Sequence, residues 1–296
     1  MGRRGRQRLV APFILPALVM YTVFFVYPAV RALWVSLHDW SGYGGNMVYI
    51  GLGNYREMLK DTVFRAALER TLVISVGGGI AIFVLALFFA AVLQRNLRGK
   101  KFFRTLIFFP MVVPGVGLGL IWQFMYNNSW GPLSALLELV GLEVLDRVWL
   151  GPDHIIQSLT AAIVWTYVGY YMVILLAGID KIPPTYYEAA FLDGASEWKM
   201  FFTITLPMIW DVFVVALVLW TIGSLKIFDL IAATTFPAPA TSTYTMTIYI
   251  WAEAVGVYTP VFRLGYATSL GVVLLIMVVF AVGVVRFLTR REAIEY

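Results

Sequence analysis

Aromatic and hydroxyl-bearing side chains cluster at two places where the chain is otherwise apolar. They are Trp165, Tyr167, Tyr170, Tyr171, Trp220 and Ser224. The three tyrosines are spaced i, i+3 and i+4, so a helix would present them on one face. We predict that this face lines a ligand pathway, because rings stack on C–H surfaces and hydroxyl groups form hydrogen bonds. The same residues could instead pack between helices or form an aromatic belt at a membrane surface.

Two charged residues follow the second aromatic group. Lys226 and Asp229 are spaced i, i+3 and could form an ion pair on one face of a helix. An ionisable residue in an apolar segment is also a candidate for a proton or ion relay. We favour the structural ion pair, since both residues fall near the end of their apolar stretch.

Several kinds of chemistry are excluded by composition. The chain has no cysteine and two histidines, His38 and His154, so thiolate catalysis and cysteine-ligated metals are ruled out. It also lacks the G-x-x-x-x-G-K-[ST] loop that binds nucleotide phosphates and the H-E-x-x-H motif of zinc proteases. We therefore predict no catalytic residue, no metal site and no cofactor held by this chain.

The residues above must be positioned by membrane-spanning helices. Of the 296 residues, 60% are hydrophobic and 13% are charged, whereas soluble domains average about 25% charged residues. Long stretches without charge predict six spans in an all-α polytopic membrane protein. Their approximate ranges are 10–33, 71–94, 104–126, 156–179, 209–232 and 264–287. Because no hydrophilic domain is visible, we treat residues 1–296 as a single transmembrane domain.

The distribution of Lys and Arg predicts the orientation. The segments on one side carry 14 of these residues and those on the other carry 5. Since positive residues concentrate on the cytoplasmic side, both termini are expected to be cytoplasmic in a cell (inner or plasma) membrane. The net charge of +5 thus indicates a lipid bilayer as the surroundings and no nucleic acid as a partner.

The long inner segment 180–208 is amphipathic and too polar to span the membrane. Thr185 and Glu188 have the spacing of a capping box, which predicts the start of a short helix. Gly194 should end that helix in a turn, and Ser196 should cap a second short helix. The expected product is a helix-turn-helix on the cytoplasmic face, which we call the coupling segment.

Within the coupling segment, six residues stand at fixed spacing in a pattern that resembles the EAA motif of ABC importer membrane subunits. The matching residues are Glu188, Ala189, Ala190, Gly194, Leu206 and Pro207, with Ile204 at a further position of the motif. The resemblance implies that Glu188 to Ala190 face a separate ATP-hydrolysing subunit. It also implies that Asp193 and Gly194 form the turn, and that Leu206-Pro207 lead into span 5.

Other stretches resemble the carbohydrate-importing, MalF-like branch of these permeases. They are Gly51-Leu52-Gly53-Asn54-Tyr55, Phe103-Arg104, Phe109-Pro110, Trp122, Phe228-Asp229 and Gly265-Tyr266-Ala267. The resemblance implies a type I ABC importer permease fold. It further implies a second permease subunit in a heterodimer, two ATP-binding subunits that hold ATP and Mg, and an extracytoplasmic solute-binding protein. The ligand pathway predicted above would then carry a sugar or an oligosaccharide.

Three functions compete at this point. The first is half of the translocation pathway of an ATP-driven importer, which involves no enzymatic activity of this chain. The second is a secondary transporter driven by an ion gradient, with Lys226, Asp229 or Asp211 relaying charge. The third is an intramembrane enzyme, for which no catalytic constellation is visible. We favour the importer subunit.

Overall fold

The computed structural model describes residues 3–94, 98–236, 239–257 and 261–290. These residues are mostly helical. The α-helices are α1 (Arg3–Tyr21), α2 (Tyr27–Val35), α3 (Gly53–Met58), α4 (Thr62–Leu72), α5 (Gly79–Gln94), α6 (Lys100–Phe108), α7 (Gly115–Met125), α8 (Pro132–Leu139), α9 (Ile155–Ile179), α10 (Pro184–Leu192), α11 (Glu197–Met200), α12 (Leu206–Met208), α13 (Trp210–Ser224), α14 (Asp229–Thr235), α15 (Met246–Val255) and α16 (Leu264–Leu288).

Short helical turns of other types complete the elements. The π-helical turns Thr22–Val26, Val73–Gly78 and Phe201–Thr205 join α1 to α2, α4 to α5 and α11 to α12. The 3₁₀ turns are Phe109–Val112, Glu143–Leu145 and Thr241–Thr243. A two-stranded hairpin of β1 (His38–Asp39) and β2 (Val48–Tyr49) pairs His38 with Tyr49 in antiparallel register.

Five helical segments in the described part of the chain are long and apolar enough to cross a membrane. They are Pro12–Val35, Thr62–Gln94, Ile155–Ile179, Trp210–Thr235 and Leu264–Leu288. The second begins at Thr62 and not near residue 71, because the helix continues outward into a more polar first turn. The segment after span 5, predicted to be an outer loop, contains the short apolar helix α15.

The predicted third span, 104–126, is corrected by the structure, because it is not one helix. It is a pair, Lys100–Val112 and Gly115–Met125, bent by 99° at a short break. Pro114 causes the break, since proline lacks an N–H group and pushes the preceding residue into an extended conformation. Val113 accordingly has φ −76° and ψ 131°.

The described chain divides into two compact units, residues 1–62 with 249–275 and residues 63–248 with 276–296. In the first unit, the buried Asn54 amide donates hydrogen bonds to the carbonyl oxygens of Ser36 (2.9 Å) and His38 (3.0 Å). Arg263 forms ion pairs with Glu57 (2.6 Å) and Glu253 (3.3 Å). Burial raises the pKa of the Glu253 carboxyl group, and the charge of Arg263 opposes that rise.

The core of the second unit is built around α9, which is the most buried of the five spanning helices. It packs against α5 and α6. At Gly169 the backbone of α6 comes so close that a Cβ atom would collide with the carbonyl oxygen of Ile107. Similarly, Gly119 of α7 lies against Leu230 and Ala233 of α14. These two glycines allow the helices to approach at backbone distance.

Candidate coupling segment and membrane cavity

The first helix of the coupling segment, α10, begins at Pro184 directly after the extended residue Pro183. Proline is favoured at the first helical position because its φ angle is preset and its missing N–H group would have no helical partner there. The predicted capping box is corrected by this start. Thr185 lies inside the first turn and no side chain caps the helix, so Glu188 is left exposed on the helix surface.

The turn after α10 has the backbone pattern of a Schellman motif. Gly194 has φ +76°, a conformation that glycine adopts without the steric cost of a Cβ atom. Its N–H group donates to the carbonyl of Phe191 (3.0 Å), and the N–H of Ala195 donates to the carbonyl of Ala190 (2.9 Å). These two bonds are the pair that defines the motif. The predicted turn at Asp193 and Gly194 is confirmed.

The second short helix, α11, is capped as predicted, because the Ser196 hydroxyl accepts a hydrogen bond from the Lys199 N–H group (3.3 Å). A π-helical turn then leads into Leu206-Pro207 and α13. The hydroxyl groups of Tyr187 and Thr205 are 3.0 Å apart and hydrogen-bonded. This bond fastens α10 to the turn that enters span 5, so the two elements are connected by more than the chain itself.

The rest of the α10 surface is uncovered. The helix has no buried residue, and Phe191 and Leu192 are 73% and 85% exposed. Glu188 and Ala189 are exposed as well, and Ala190 is half-buried. The exposed apolar side chains of Phe191 and Leu192 lie near the Glu188 carboxylate, and the Schellman turn at Gly194 holds this end of the helix. Such a surface is suited to insertion into a groove on another protein.

Three of the six predicted pathway residues are buried between α5, α9 and α13. The indole N–H of Trp220 donates to the carbonyl oxygen of Ser75 (2.8 Å), and the hydroxyl groups of Ser224 and Ser75 are 2.6 Å apart. The ring of Tyr171 lies 6.0 Å from that of Trp220. We call Tyr171, Trp220, Ser224 and Ser75 the packed cluster. All of its polar atoms named here are engaged within the protein.

Beside the packed cluster runs an apolar groove of about 800 Å³, bordered by α5, α13 and α16. Phe83, Phe213 and Phe280 are among its lining residues. Such a lining offers few hydrogen-bonding groups, so the groove suits a lipid chain or a neighbouring helix better than a polar ligand.

The other predicted pathway residues are placed differently. Trp165 is 43% exposed, and its ring contacts Trp122 at 5.5 Å, away from the packed cluster. Tyr170 lies against Tyr171 at 5.0 Å. Tyr167 contacts Trp220 at 5.9 Å on one side and borders a cavity on the other. Tyr167, Tyr171 and Trp220 are thus brought together, whereas Trp165 is not.

The cavity beside Tyr167 has a volume of about 380 Å³ and lies at the break before α7. Residues of the break, of α9, and of the connection between α13 and α14 line it. The lining residues include Pro114, Gly115, Thr166, Tyr167, Gly223, Lys226 and Asp229. The contribution of the break is not evident from the pattern of apolar residues, although Pro110 and Pro114 are a signal for it in the sequence.

Lys226 and Asp229 do not form the predicted ion pair. Both are described, both are exposed, and no ion pair within the described ranges involves either residue. α13 ends at Ser224 and α14 begins at Asp229, so the two residues do not share a helix face. Both side chains line the cavity. Among the described residues, no group of three His, Asp or Glu side chains could hold a metal ion.

The amino-acid sequence of this chain is similar to those of known transport proteins. Residues 82–294, which include the cavity and the coupling segment, match the model of the family described as binding-protein-dependent transport system inner membrane component. A probable ABC transporter permease, YurN of Bacillus subtilis, is 34% identical over 90% of each chain. The lactose transport system permease LacF of Rhizobium radiobacter is 32% identical over 95% of this chain and 93% of its own.

Two further proteins are similar to this chain, one in sequence and one in fold. The trehalose/maltose transport system permease MalF of Thermococcus litoralis is 33% identical over 79% of each chain. A chain of the bacterial alginate ABC transporter, solved in complex with an alginate pentasaccharide-bound periplasmic protein, superposes with a TM-score of 0.80, covering 98% of each chain at 23% identity, and so shows the same fold. With its apolar helices, the chain is a multi-pass membrane protein, and it belongs to the family of inner membrane components of binding-protein-dependent transport systems.

Proposed function

We propose that this chain is one of the two permease subunits of an ATP-driven importer and forms half of the pathway for a sugar or an oligosaccharide. The observation that carries the coupling part of the proposal is the exposed face of α10, held by the Schellman turn at Gly194. Relatives named for transport of trehalose/maltose and of lactose support the proposal that the transported substrate is a sugar.

In this proposal α10 docks on an ATP-binding subunit. Glu188, Ala189 and Ala190 lie at that contact, and Asp193 with Gly194 keeps the helix in place. Ile204, Leu206 and Pro207 connect the contact to span 5. The Tyr187–Thr205 hydrogen bond transmits displacement of α10 to α13, because it joins α10 directly to the π-helical turn that enters span 5.

The proposed partners supply the functions that this chain does not carry. A second, different permease subunit supplies the other half of the pathway, and an extracytoplasmic solute-binding protein delivers the sugar. Two ATP-binding subunits hold ATP and Mg, so this chain is not itself an enzyme. Both termini and the coupling segment face the cytoplasm, as the excess of Lys and Arg on that side supports.

The cavity at the break before α7 is the proposed site of passage. Tyr167 offers a ring for stacking on a sugar and a hydroxyl group with no hydrogen bond among the described residues. Thr166 lies beside it, although its hydroxyl donates to the carbonyl of Ala162 (2.8 Å). When ATP binding closes the partner subunits, the two α10 helices approach, and the spans tilt so that the cavity opens to the opposite side of the membrane.

The coupling role is tested with the complete complex in proteoliposomes, comparing wild type with Glu188→Lys and Gly194→Pro. We expect both variants to insert and assemble their spans but to lose the ATPase stimulation caused by the binding protein, because the α10 contact is altered. Glu143→Lys, a charge reversal at an exposed residue outside the coupling segment, is the matched control and should keep full stimulation. Unchanged stimulation in both coupling variants, with uptake abolished by an ionophore, would instead favour the ion-driven transporter.

A further inference from the structure

The helix α6, which is the first half of the broken third span, contacts α9 at two points. Gly169, near the middle of α9, lies against the backbone of Ile107. Arg104 forms an ion pair (3.0 Å) with Asp180, the residue directly after α9. The helix α6 therefore runs alongside α9, and its first residues lie at the end of this unit where the coupling segment begins.

The side of α6 that faces away from α9 is uncovered and mostly apolar. Phe102, Leu106 and Phe109 are 65%, 55% and 60% exposed. Their spacing of i, i+4 and i+7 places them on one side of the helix and of the 3₁₀ turn that continues it. Lys101 stands four residues before the exposed Thr105, so it lies at the beginning of the same side.

The charge at the beginning of this side is positive. Arg98 and Lys101 are exposed, and neither side chain takes part in an ion pair with a residue that the structure describes. The stretch 95–104 contains five basic residues and no acidic one. Asp180 does not offset the remaining charge, because it is already paired with Arg104.

The length of the uncovered side indicates what kind of molecule covers it. From Lys101 to Phe109 it extends about 12 Å, at about 1.5 Å per residue, which is close to half of the roughly 30 Å hydrocarbon core of a bilayer. A soluble protein could pair with the basic end, but it could not reach the apolar side chains at that depth. A phospholipid with a net negative headgroup matches both the charge and the apolar stretch.

We propose that this side of α6 binds an anionic phospholipid of the cytoplasmic leaflet. Arg98 and Lys101 hold the phosphate, for which the planar guanidinium group offers two parallel N–H donors. An acyl chain lies along Phe102, Leu106 and Phe109. The leaflet rests on the proposed function, because that proposal places the coupling segment in the cytoplasm.

The test measures phospholipid binding to the complete complex in detergent by native mass spectrometry, with phosphatidylglycerol and phosphatidylcholine as probes. Wild type should prefer phosphatidylglycerol, because the choline group cancels the phosphate charge of the other lipid. The double variant Arg98→Gln/Lys101→Gln should bind phosphatidylglycerol roughly thirtyfold more weakly, the effect of losing two basic residues near an anionic surface. Lys199→Gln, which removes the charge of an exposed lysine in α11, is the matched control and should bind like wild type.

The leaflet is tested separately, with the variant Lys101→Cys. The chain has no cysteine of its own, so a thiol reagent that does not cross membranes labels this position alone. We expect labelling in vesicles with the cytoplasmic side outward and none in vesicles of the opposite orientation.

The possible failures are distinguishable. Equal binding of the two phospholipids by wild type, unchanged binding in the double variant, or displacement of the lipid by inorganic phosphate would overturn the lipid site and leave the importer assignment intact. Loss of the ATP-binding subunits from the double variant would assign the basic end to a protein contact and would also overturn the site.

Two outcomes concern the proposed function. Labelling of Lys101→Cys from the opposite side alone would overturn the cytoplasmic placement both here and in that proposal. If the complex takes up no sugar with ATP while the double variant still loses phosphatidylglycerol, the proposed function is overturned and the lipid site stands.

Discussion

The packed cluster and the cavity are two regions built by the same helices, α9 and α13, and they differ in what they leave available. In the packed cluster the indole N–H of Trp220 and the hydroxyl group of Ser224 both form hydrogen bonds with Ser75. At the cavity, the Tyr167 hydroxyl and the Lys226 ammonium have no partner among the described residues. Aromatic residues therefore occur in both regions, and only the unused polar groups distinguish a binding surface from a core.

The reason for the difference is the break at Pro114. At the packed cluster, the end of the π-helical turn Val73–Gly78 and the start of α5 place Gly78 and Gly79 against Trp220, whose ring fills the space between the helices. At the cavity, the third span is interrupted and bent by 99°; Lys226 is exposed there and Tyr167 is only half-buried. The three predictions below test this division into a region that stabilises the fold and a region that binds ligand.

The largest expected effect is on stability, in the packed cluster. Trp220→Ala should lower the free energy of unfolding by about 3–5 kcal/mol, since it leaves a large void between the helices. Thermal unfolding in detergent measures it. Trp165→Ala, at a tryptophan that is 43% exposed, is the matched control and should cost clearly less. Equal losses in the two variants would contradict the division.

The next effect should appear in transport alone. Tyr167→Phe removes the hydroxyl group that faces the cavity and keeps the ring that packs on Trp220. We expect the KM for sugar uptake to rise about tenfold, the consequence of one lost hydrogen bond of about 1.4 kcal/mol, with unchanged thermal stability. A lower unfolding temperature together with an unchanged KM would show that the Tyr167 hydroxyl stabilises the fold and does not bind the sugar.

The smallest effect should come from Ser224→Ala, which removes the contact between the hydroxyl groups of Ser224 and Ser75. A loss of about 1 kcal/mol in the free energy of unfolding is expected for a single neutral hydrogen bond. The KM for uptake should stay the same, because Ser224 is buried. A raised KM at unchanged stability would move Ser224 from the packed cluster to the pathway.

Local features were well predicted from the sequence. The turn at Gly194 and the cap at Ser196 depend on residues within one or two helical turns, so spacing alone identifies them. The capping box at Thr185 and Glu188 was misjudged, because Pro184 starts the helix one residue earlier. The number of apolar segments was also predictable, since it depends on the positions of charges.

Features that join distant parts of the chain were not predictable. Lys226 and Asp229 were expected to pair because their sequence separation allowed it. The sequence does not reveal that α13 ends before both residues or that Gly115 of α7 lies against Asp229. Likewise, whether a tyrosine of α9 faces α5 or the break depends on how the third span bends.

The broken third span also has a consequence for hydration. A continuous helix satisfies its own backbone and needs no solvent at the depth of the hydrocarbon core. The interruption at Val113 and Pro114 starts a new helix at Gly115 beside the cavity, and the first N–H groups of a helix have no partner inside it, so water can satisfy them there. In a hydrated cavity a sugar keeps partners for its hydroxyl groups, which lowers the cost of removing its own hydration shell. The seal against leakage of small ions must then come from elsewhere along the pathway.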